Sequence, residues 1–388
     1  MPAWCLRFGT VPSERTSRVE AALRDYARNL CDLGLSAGLA RVGISSARPF
    51  ERARHAIEDR NARGLSDTMQ FTFRNPKRST TPSMLVPGAR SIIVGAVAYY
   101  EEAPPRPSEP VADVARYAWR DSYGRLRAAL GVVADELKSV GHRATVVADE
   151  NSLVDREAAY LAGLGWFGKN ANLLLPGSGS WFVLGGVITD AVLPVGQPVG
   201  DGCGACRRCI DACPTGAIIE PGVVDARRCL AWVIQKPGIV DRDMRMAIGS
   251  RIYGCDDCQE ACPPSIRSTR QVSERVDNEV TPDAHIDPVE VLEMSDAQIL
   301  ERCGRWYIHD REPRWVRRNA LIVLGNIGDA SNPRVRRVVG AALESSDAMV
   351  RAHAVWAAAR LGCADLLPAD DPDDDVKREL HSLPSPRA

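Results

Sequence analysis

The segment CGACRRCIDACP (residues 203–214), followed downstream by YGCDDCQEACP (residues 253–263), decides how this chain is read. The first carries Cys203, Cys206, Cys209 and Cys213 at the spacing C-x2-C-x2-C-x3-C-P, in which three thiolates hold one 4Fe-4S cluster and the fourth reaches across to another. The second segment keeps Cys255, Cys258 and Cys262 but has Ile252 where the first cysteine of the pattern would stand, and Cys229 can fill that vacancy. The crossing rule assigns Cys203, Cys206, Cys209 and Cys262 to one cluster, and Cys213, Cys229, Cys255 and Cys258 to the other. Eight ligands then serve two clusters. Paired zinc sites would call for separated C-x2-C pairs, and neither zinc nor a disulfide framework explains the trailing Pro214 and Pro263. Cys5, Cys31, Cys303 and Cys363 lack this spacing and read as ordinary core or surface residues.

Outward from the cysteines, the chain of 388 residues is 45% hydrophobic and 26% charged, enough for two or three globular domains. No run approaches the 18 or more apolar residues of a membrane span, and MPAWCLRFGTVPSERTSR at the start lacks a signal-peptide core. A cytoplasmic protein is expected, in a reducing compartment where thiols serve metals. Upstream, residues 17–35 carry helical spacing that stops at Gly34, and the run Ser91–Tyr99 reads as a buried strand. A Pro-rich loop (103–110), an amphipathic helix (121–140) and strands at 144–148 and 181–187 follow. Residues 1–198 are therefore expected to form an α/β or α+β domain, and 199–270 a ferredoxin-like domain with two clusters.

Downstream the pattern becomes helical. VRRNALIVLGNIG (316–328) aligns with VRAHAVWAAARLG (350–362) at a period of 34, which predicts HEAT-like helix pairs over 285–365. The remaining residues, 366–388, hold Asp370, Asp371 and Asp373–Asp375 and read as an acidic, disordered tail. Net charge is −1, but between residues 302 and 337 nine arginines stand against three acids. On composition alone that run is a solvated helical face or a nucleic-acid surface.

Taken together, CGACRRCIDACPTGAI (203–218), RCLAWVIQKPGIVDRDMRMAIGSRIYGCDDCQEACP (228–263), NPKRSTTPSMLVPGARSIIV (75–94), ARY (115–117), AGLGWFGKN (162–170) and GSWFVLG (179–185) resemble the epoxyqueuosine reductase family. The resemblance runs in order over roughly residues 35–362. It implies a reductase that removes the epoxide oxygen of epoxyqueuosine in tRNA, with two 4Fe-4S clusters and cobalamin as cofactors. It further implies that the first domain binds the corrinoid, that a low-potential ferredoxin or flavodoxin supplies electrons, and that the protein is a monomer away from membranes. By the same resemblance Asp149 is the catalytic acid, and Arg78, Gly168, Lys169, Asn170 and Leu173 line the corrinoid pocket. The repeat contacts the tRNA anticodon stem-loop, with Arg317 and Arg318 as candidates. Two departures stand out: Asp121-Ser122-Tyr123 where the family has Asp-Tyr-His, and Ala148-Asp149-Glu150-Asn151-Ser152 where it has Val-Asp-(Ser/Thr)-(Ala/Gly)-Pro. They leave open a corrinoid reductase of another small molecule, or a ferredoxin-type electron carrier.

Overall fold

The computed structural model describes residues 14–107, 110–272 and 282–383. Cys5, parts of the Pro-rich loop and the last five residues lie outside that range. The first unit is built on a four-stranded antiparallel sheet of β1 (Arg41–Ser46), β2 (Ser91–Ala98), β4 (Ala144–Ala148) and β5 (Phe182–Thr189), ordered β1-β2-β5-β4. The β-branched run in β2 is buried on both faces because side chains alternate across a strand. Ile93 and Val97 enter a core with Leu30 of α1 (Glu14–Ser36) and Leu126, Leu130 and Leu137 of α3 (Ser122–Ser139). Ile92 and Val94 face the opposite core, with Ala53 of α2 (Glu51–Ala62) and Ala158 and Ala159 of α4 (Asp155–Leu161). Gly95 lets Leu39 close onto the sheet, since a Cβ there would come within 2.8 Å of its side chain.

A second sheet crosses the expected domain borders. Strand β3 (Ala112–Val114) pairs in parallel with β6 (Arg251–Tyr253) and antiparallel with β7 (His285–Ile286), so three stretches distant in sequence share backbone hydrogen bonds. The cysteine-bearing part is thereby joined to both neighbours.

Beyond it, α6 (Arg314–Ile327), α7 (Pro333–Leu343) and α8 (Ala348–Arg360) form the repeat, with Ala320 and Ala354 fully buried. Gly325 allows α6 to meet α8 closely, because a Cβ there would lie 2.4 Å from the Trp356 ring. The acidic segment departs from the expectation of disorder. It folds into α9 (Asp374–His381), capped by the Asp373 side chain, with Val376 fully buried. Acids at a helix N-terminus complement its dipole, which explains why an acidic stretch folds here. On its other side, Glu379 accepts from Arg245 of α5 (Arg242–Ile248) at 2.6 Å and from Arg242 at 2.9 Å.

Candidate functional site

The cysteines stand in two groups. Burial raises the pKa of Cys209, and the adjacent Cys262, Cys203 and Cys206 raise it further. Cys262 is raised by burial and by the same Cys203 and Cys206. In the other group, burial followed by Cys255 and Cys229 pushes Cys258 up, and burial is the main reason that Cys255 is pushed up to about 12. Cys229 is raised by burial and by Cys213. Desolvated thiols crowded in fours repel one another as thiolates, and iron supplies the positive charge that reverses this cost. Among the described residues no group of His, Cys, Asp or Glu is gathered tightly enough for a single metal ion. The donor set fits clusters, in which each thiolate binds its own iron. Cys206 is exposed, whereas Cys213, Cys229, Cys255 and Cys258 are part-buried.

Polar contacts fix these loops. The Cys213 sulfur accepts the Ala217 N–H at 3.2 Å. Asp256 accepts the Arg116 N–H at 2.7 Å and a Gln259 amide N–H at 2.9 Å, while Arg251 donates to both oxygens of Asp257 at 2.7 and 2.8 Å. The loop after Trp166 joins them to the first unit. Lys169 donates to the Gly204 carbonyl at 2.7 Å in one cysteine segment, and Asn170 donates to the Cys258 carbonyl at 3.3 Å in the other. Gly168 leaves room for Asn170, whose amide oxygen would lie 2.7 Å from a Cβ there. Leu173 is buried among the apolar side chains of the α/β core.

Asp149 sits where β4 ends, in a left-handed conformation with φ +57° that aspartate tolerates better than most residues. Three contacts hold the turn. Arg127 on α3 donates to the Ala148 carbonyl at 3.0 Å, Ser79 donates its hydroxyl to the Asn151 carbonyl at 2.8 Å, and Val154 returns an N–H to the Ser79 carbonyl at 3.1 Å. The carboxyl of Asp149 still meets solvent, yet the surrounding protein desolvates it and raises its pKa; Arg127 opposes this and Glu150 adds to it. Arg78, beside Ser79, has an exposed guanidinium on the same rim, and its N–H caps onto the Asn75 side chain at 3.1 Å.

The structure adds Asp155, which sequence reading passed over, and gives surroundings to Tyr123, which the sequence showed only as a departure from the family motif. Asp155 opens α4 with one carboxylate oxygen buried and unpartnered; burial, then Asp149, drives its pKa well up. Tyr123 lies one helical turn before Arg127, and its ring centre is 5.9 Å from that guanidinium. Burial raises its pKa, with Asp149 and Asp155 the next contributors. The i,i+4 spacing of Tyr123 and Arg127 was visible in the sequence; the face on which they lie was not.

The arginine run does not form the free basic face that its charge count suggested. Arg302 and Arg305 pair with Asp283, Arg314 with Glu312 and Asp347, Arg334 and Arg337 with Glu293, and Arg336 with Asp365. Most of these acids lie outside the window counted. Arg318 cannot reach a ligand: it is fully buried, donating to the carbonyls of Ile234, Lys236 and Gly238 at 2.7–2.8 Å. Arg317 is partly exposed, bound to Asp296 and the Met294 carbonyl.

Comparison with known proteins matches residues 80–150 to the family model described as "Epoxyqueuosine reductase QueG, DUF1730", 202–265 to a 4Fe-4S double cluster binding domain, and 305–383 to HEAT repeats. The epoxyqueuosine reductase of Bacillus cereus is 31% identical over 84% of this chain and 86% of its own length. That of Xanthomonas campestris pv. campestris is 35% identical over 87% and 97%. A crystal structure of an epoxyqueuosine reductase with an epoxyqueuosine-modified tRNA-Tyr stem loop superposes with a TM-score of 0.83 at 27% identity, covering 92% of this chain and 97% of that one. A Bacillus subtilis structure, with its catalytic aspartate loop swung out of the active site, gives 0.82 at 28% identity over 92% and 97%.

Proposed function

Because this chain belongs to the epoxyqueuosine reductase family and is an oxidoreductase with a double 4Fe-4S domain, we propose that it converts epoxyqueuosine in tRNA to queuosine. The observation that carries the reading is the turn at Asp149, a carboxyl with raised pKa in a left-handed backbone position. Arg156, the neighbour of Asp155, donates to the Ala171 carbonyl at 3.1 Å, and the adjoining Asn170 donates to the Cys258 carbonyl at 3.3 Å, so α4 and the cysteine segment are tied to one loop.

In this reading Cys203, Cys206, Cys209 and Cys262 hold one cluster, and Cys213, Cys229, Cys255 and Cys258 the other. The clusters supply single electrons from a low-potential ferredoxin or flavodoxin in the cytoplasm, arriving on the side of exposed Cys206. A corrinoid, when bound, would supply a reduced metal centre with the nucleophilic character that epoxide opening needs. The residues present fit such a group. Among the described residues Asp155 offers an orphaned acceptor and Arg78 an exposed side chain with no partner, suited to a macrocycle edged with amides. Asp149 holds the proton that goes to the departing oxygen, since a carboxyl of raised pKa stays protonated further toward neutral pH. Lys169 and Asn170 position the cysteine segments against this unit. Arg317 is the proposed phosphate contact on the repeat, able to exchange Asp296 for RNA.

The test is anaerobic reconstitution with iron, sulfide and cobalamin, a low-potential reductant and an epoxyqueuosine-containing stem-loop. The expected result is loss of one oxygen mass from the modified base. Intact clusters and bound corrinoid without turnover reject this substrate, and failure to bind a corrinoid at all favours a plain electron carrier.

A further inference from the structure

Cys229 stands 26 residues before Cys255, and no local spacing places it beside the cysteines it would join. Ile252 holds the position where the motif's own first cysteine would be. We infer that Asn319, on the repeat helix α6, is the positioning residue that brings Cys229 to the cluster formed with Cys213, Cys255 and Cys258. This rests on the ligand assignment given above.

Asn319 is buried, and its side-chain amide donates to the Ile234 carbonyl at 3.0 Å and to the Ile252 carbonyl at 3.1 Å. Each carbonyl belongs to a segment that carries a ligand. Ile234 closes the single turn Leu230–Val233, of which Cys229 is the N-cap. Within that turn the Cys229 carbonyl accepts the Trp232 and Val233 N–H groups at 2.9 Å, and Ile234 donates its N–H to Leu230 at 3.0 Å. The last carbonyls of a helix have no partner inside it, so that of Ile234 is held from outside. On the other segment, the register of β6 against β3 shifts between Arg251 and Tyr253. The sheet takes the carbonyls of Ser250 and Tyr253, at Asp113 and Ala115, and the one between them, on Ile252, goes to Asn319. Cys255 follows three residues later, past Gly254 at φ +74°.

The Asn319 amide has one orientation. Its oxygen accepts from the Arg318 guanidinium at 3.0 and 3.1 Å, so both of its N–H bonds are left for the two segments. Three residues on along the same face, Ile322 packs with Leu230, Val233 and Ile234, and Cys255 lies against that apolar group. Two turns beyond Asn319, Asn326 donates to the Arg245 and Gly249 carbonyls at 2.7 and 3.1 Å and holds the chain that joins the segments. One face of α6 is therefore a template for residues 230–252, and Asn319 binds both ends of it. Contacts one step behind a metal ligand set affinity by roughly 10- to 100-fold.

Asn319→Leu in the reconstituted full-length protein tests this, because leucine is close in size and removes both donors. The wild type is expected to hold about eight irons; the variant is expected to lose about four of them to a chelator about tenfold faster or more, and the rest at the wild-type rate. Mild oxidation with ferricyanide should turn the second cluster of the variant into a three-iron form, seen by electron paramagnetic resonance, as it should in Cys229→Ser. Val339→Ala, a cavity elsewhere in the repeat, should leave both clusters at wild-type rates. Wild-type iron release in Asn319→Leu, or equal acceleration of both clusters, overturns the inference alone. A wild type with only about four irons overturns the ligand assignment, and the inference with it. A second arm needs no variant. On removal of iron from the wild type, hydrogen exchange is expected to rise across 229–234 and 255–262 while 314–327 keeps its protection within about threefold. Loss of protection in α6 together with the iron would mean that the cluster organises the helix, and overturns the inference.

Discussion

Arg317 and Arg318 are sequence neighbours with opposite surroundings, and helical rotation of about 100° per residue is the whole reason. Arg318 points inward, fully buried, and burial followed by repulsion from Arg245 lowers its pKa to about 9. Three carbonyls compensate the buried guanidinium. Arg318→Ala is therefore expected to cost about 3 kcal/mol or more in denaturant unfolding, since it strands those carbonyls without donors. Arg317→Ala should cost less than about 1 kcal/mol, as exposed pairs do, but should flatten the log–log salt slope of RNA affinity by roughly one. An unchanged slope would return Arg317 to solvent. Asp149 gives a second residue-level expectation. Its proton is the reacting one and its pKa is raised, so kcat should hold on the acid side and fall as pH climbs through that raised value. Arg127 pulls the pKa down, so Arg127→Met should move the falling limb to higher pH, measured as a kcat–pH profile. Asp149→Asn should lower kcat by about 100-fold or more.

Among the elements, those with a strong period were legible: β2 as a β-branched run, α3 by its apolar spacing, α6 and α8 by their internal repeat. Strand β1, RVGISS, has only two buried residues, and α2 buries only Ala53 and Ile57, so neither carries a pattern from which to read it. The acidic C-terminal stretch misled for a different reason. Composition treats like charges as mutually repelling, whereas here Asp371 is held by Arg351 at 2.8 and 2.9 Å, and Glu379 by Arg245 and Arg242. Arg245 has no exposed side-chain surface, and one of its nitrogens lacks a partner even with Glu379 present. Glu379→Ala should accordingly destabilise the protein by about 3 kcal/mol, because it leaves a buried cation unpaired. Hydrogen exchange should show α9 opening first. Retained protection across 374–381 in that variant would mean that Val376 packing alone holds the helix.

For the molecule as a whole, cysteine spacing announced the metal chemistry, but the site around it draws on α3, the turn after β4, α4 and β6, which no local pattern links. Strand β3, too short to notice in sequence, welds the cysteine segment to its neighbours by pairing with β6 and β7. The resulting arrangement has a direction. Cys206 lies at the surface, with Cys203 and Cys209 half-buried and Cys262 buried behind it, while no member of the set Cys213, Cys229, Cys255 and Cys258 is exposed and that set borders Asn170. Oxygen reaches an exposed cluster before a covered one, just as an electron donor does. Brief exposure of the reconstituted protein to air should therefore take iron from about eight per chain to about four before any further loss, with the paramagnetic signal of one reduced cluster surviving. The same intermediate should fail to accept electrons from a protein donor while a small, strong chemical reductant still reduces its remaining cluster. Parallel loss of both clusters, with no four-iron stage, would mean that the two sets are equally accessible and that the polarity assigned to Cys206 is wrong.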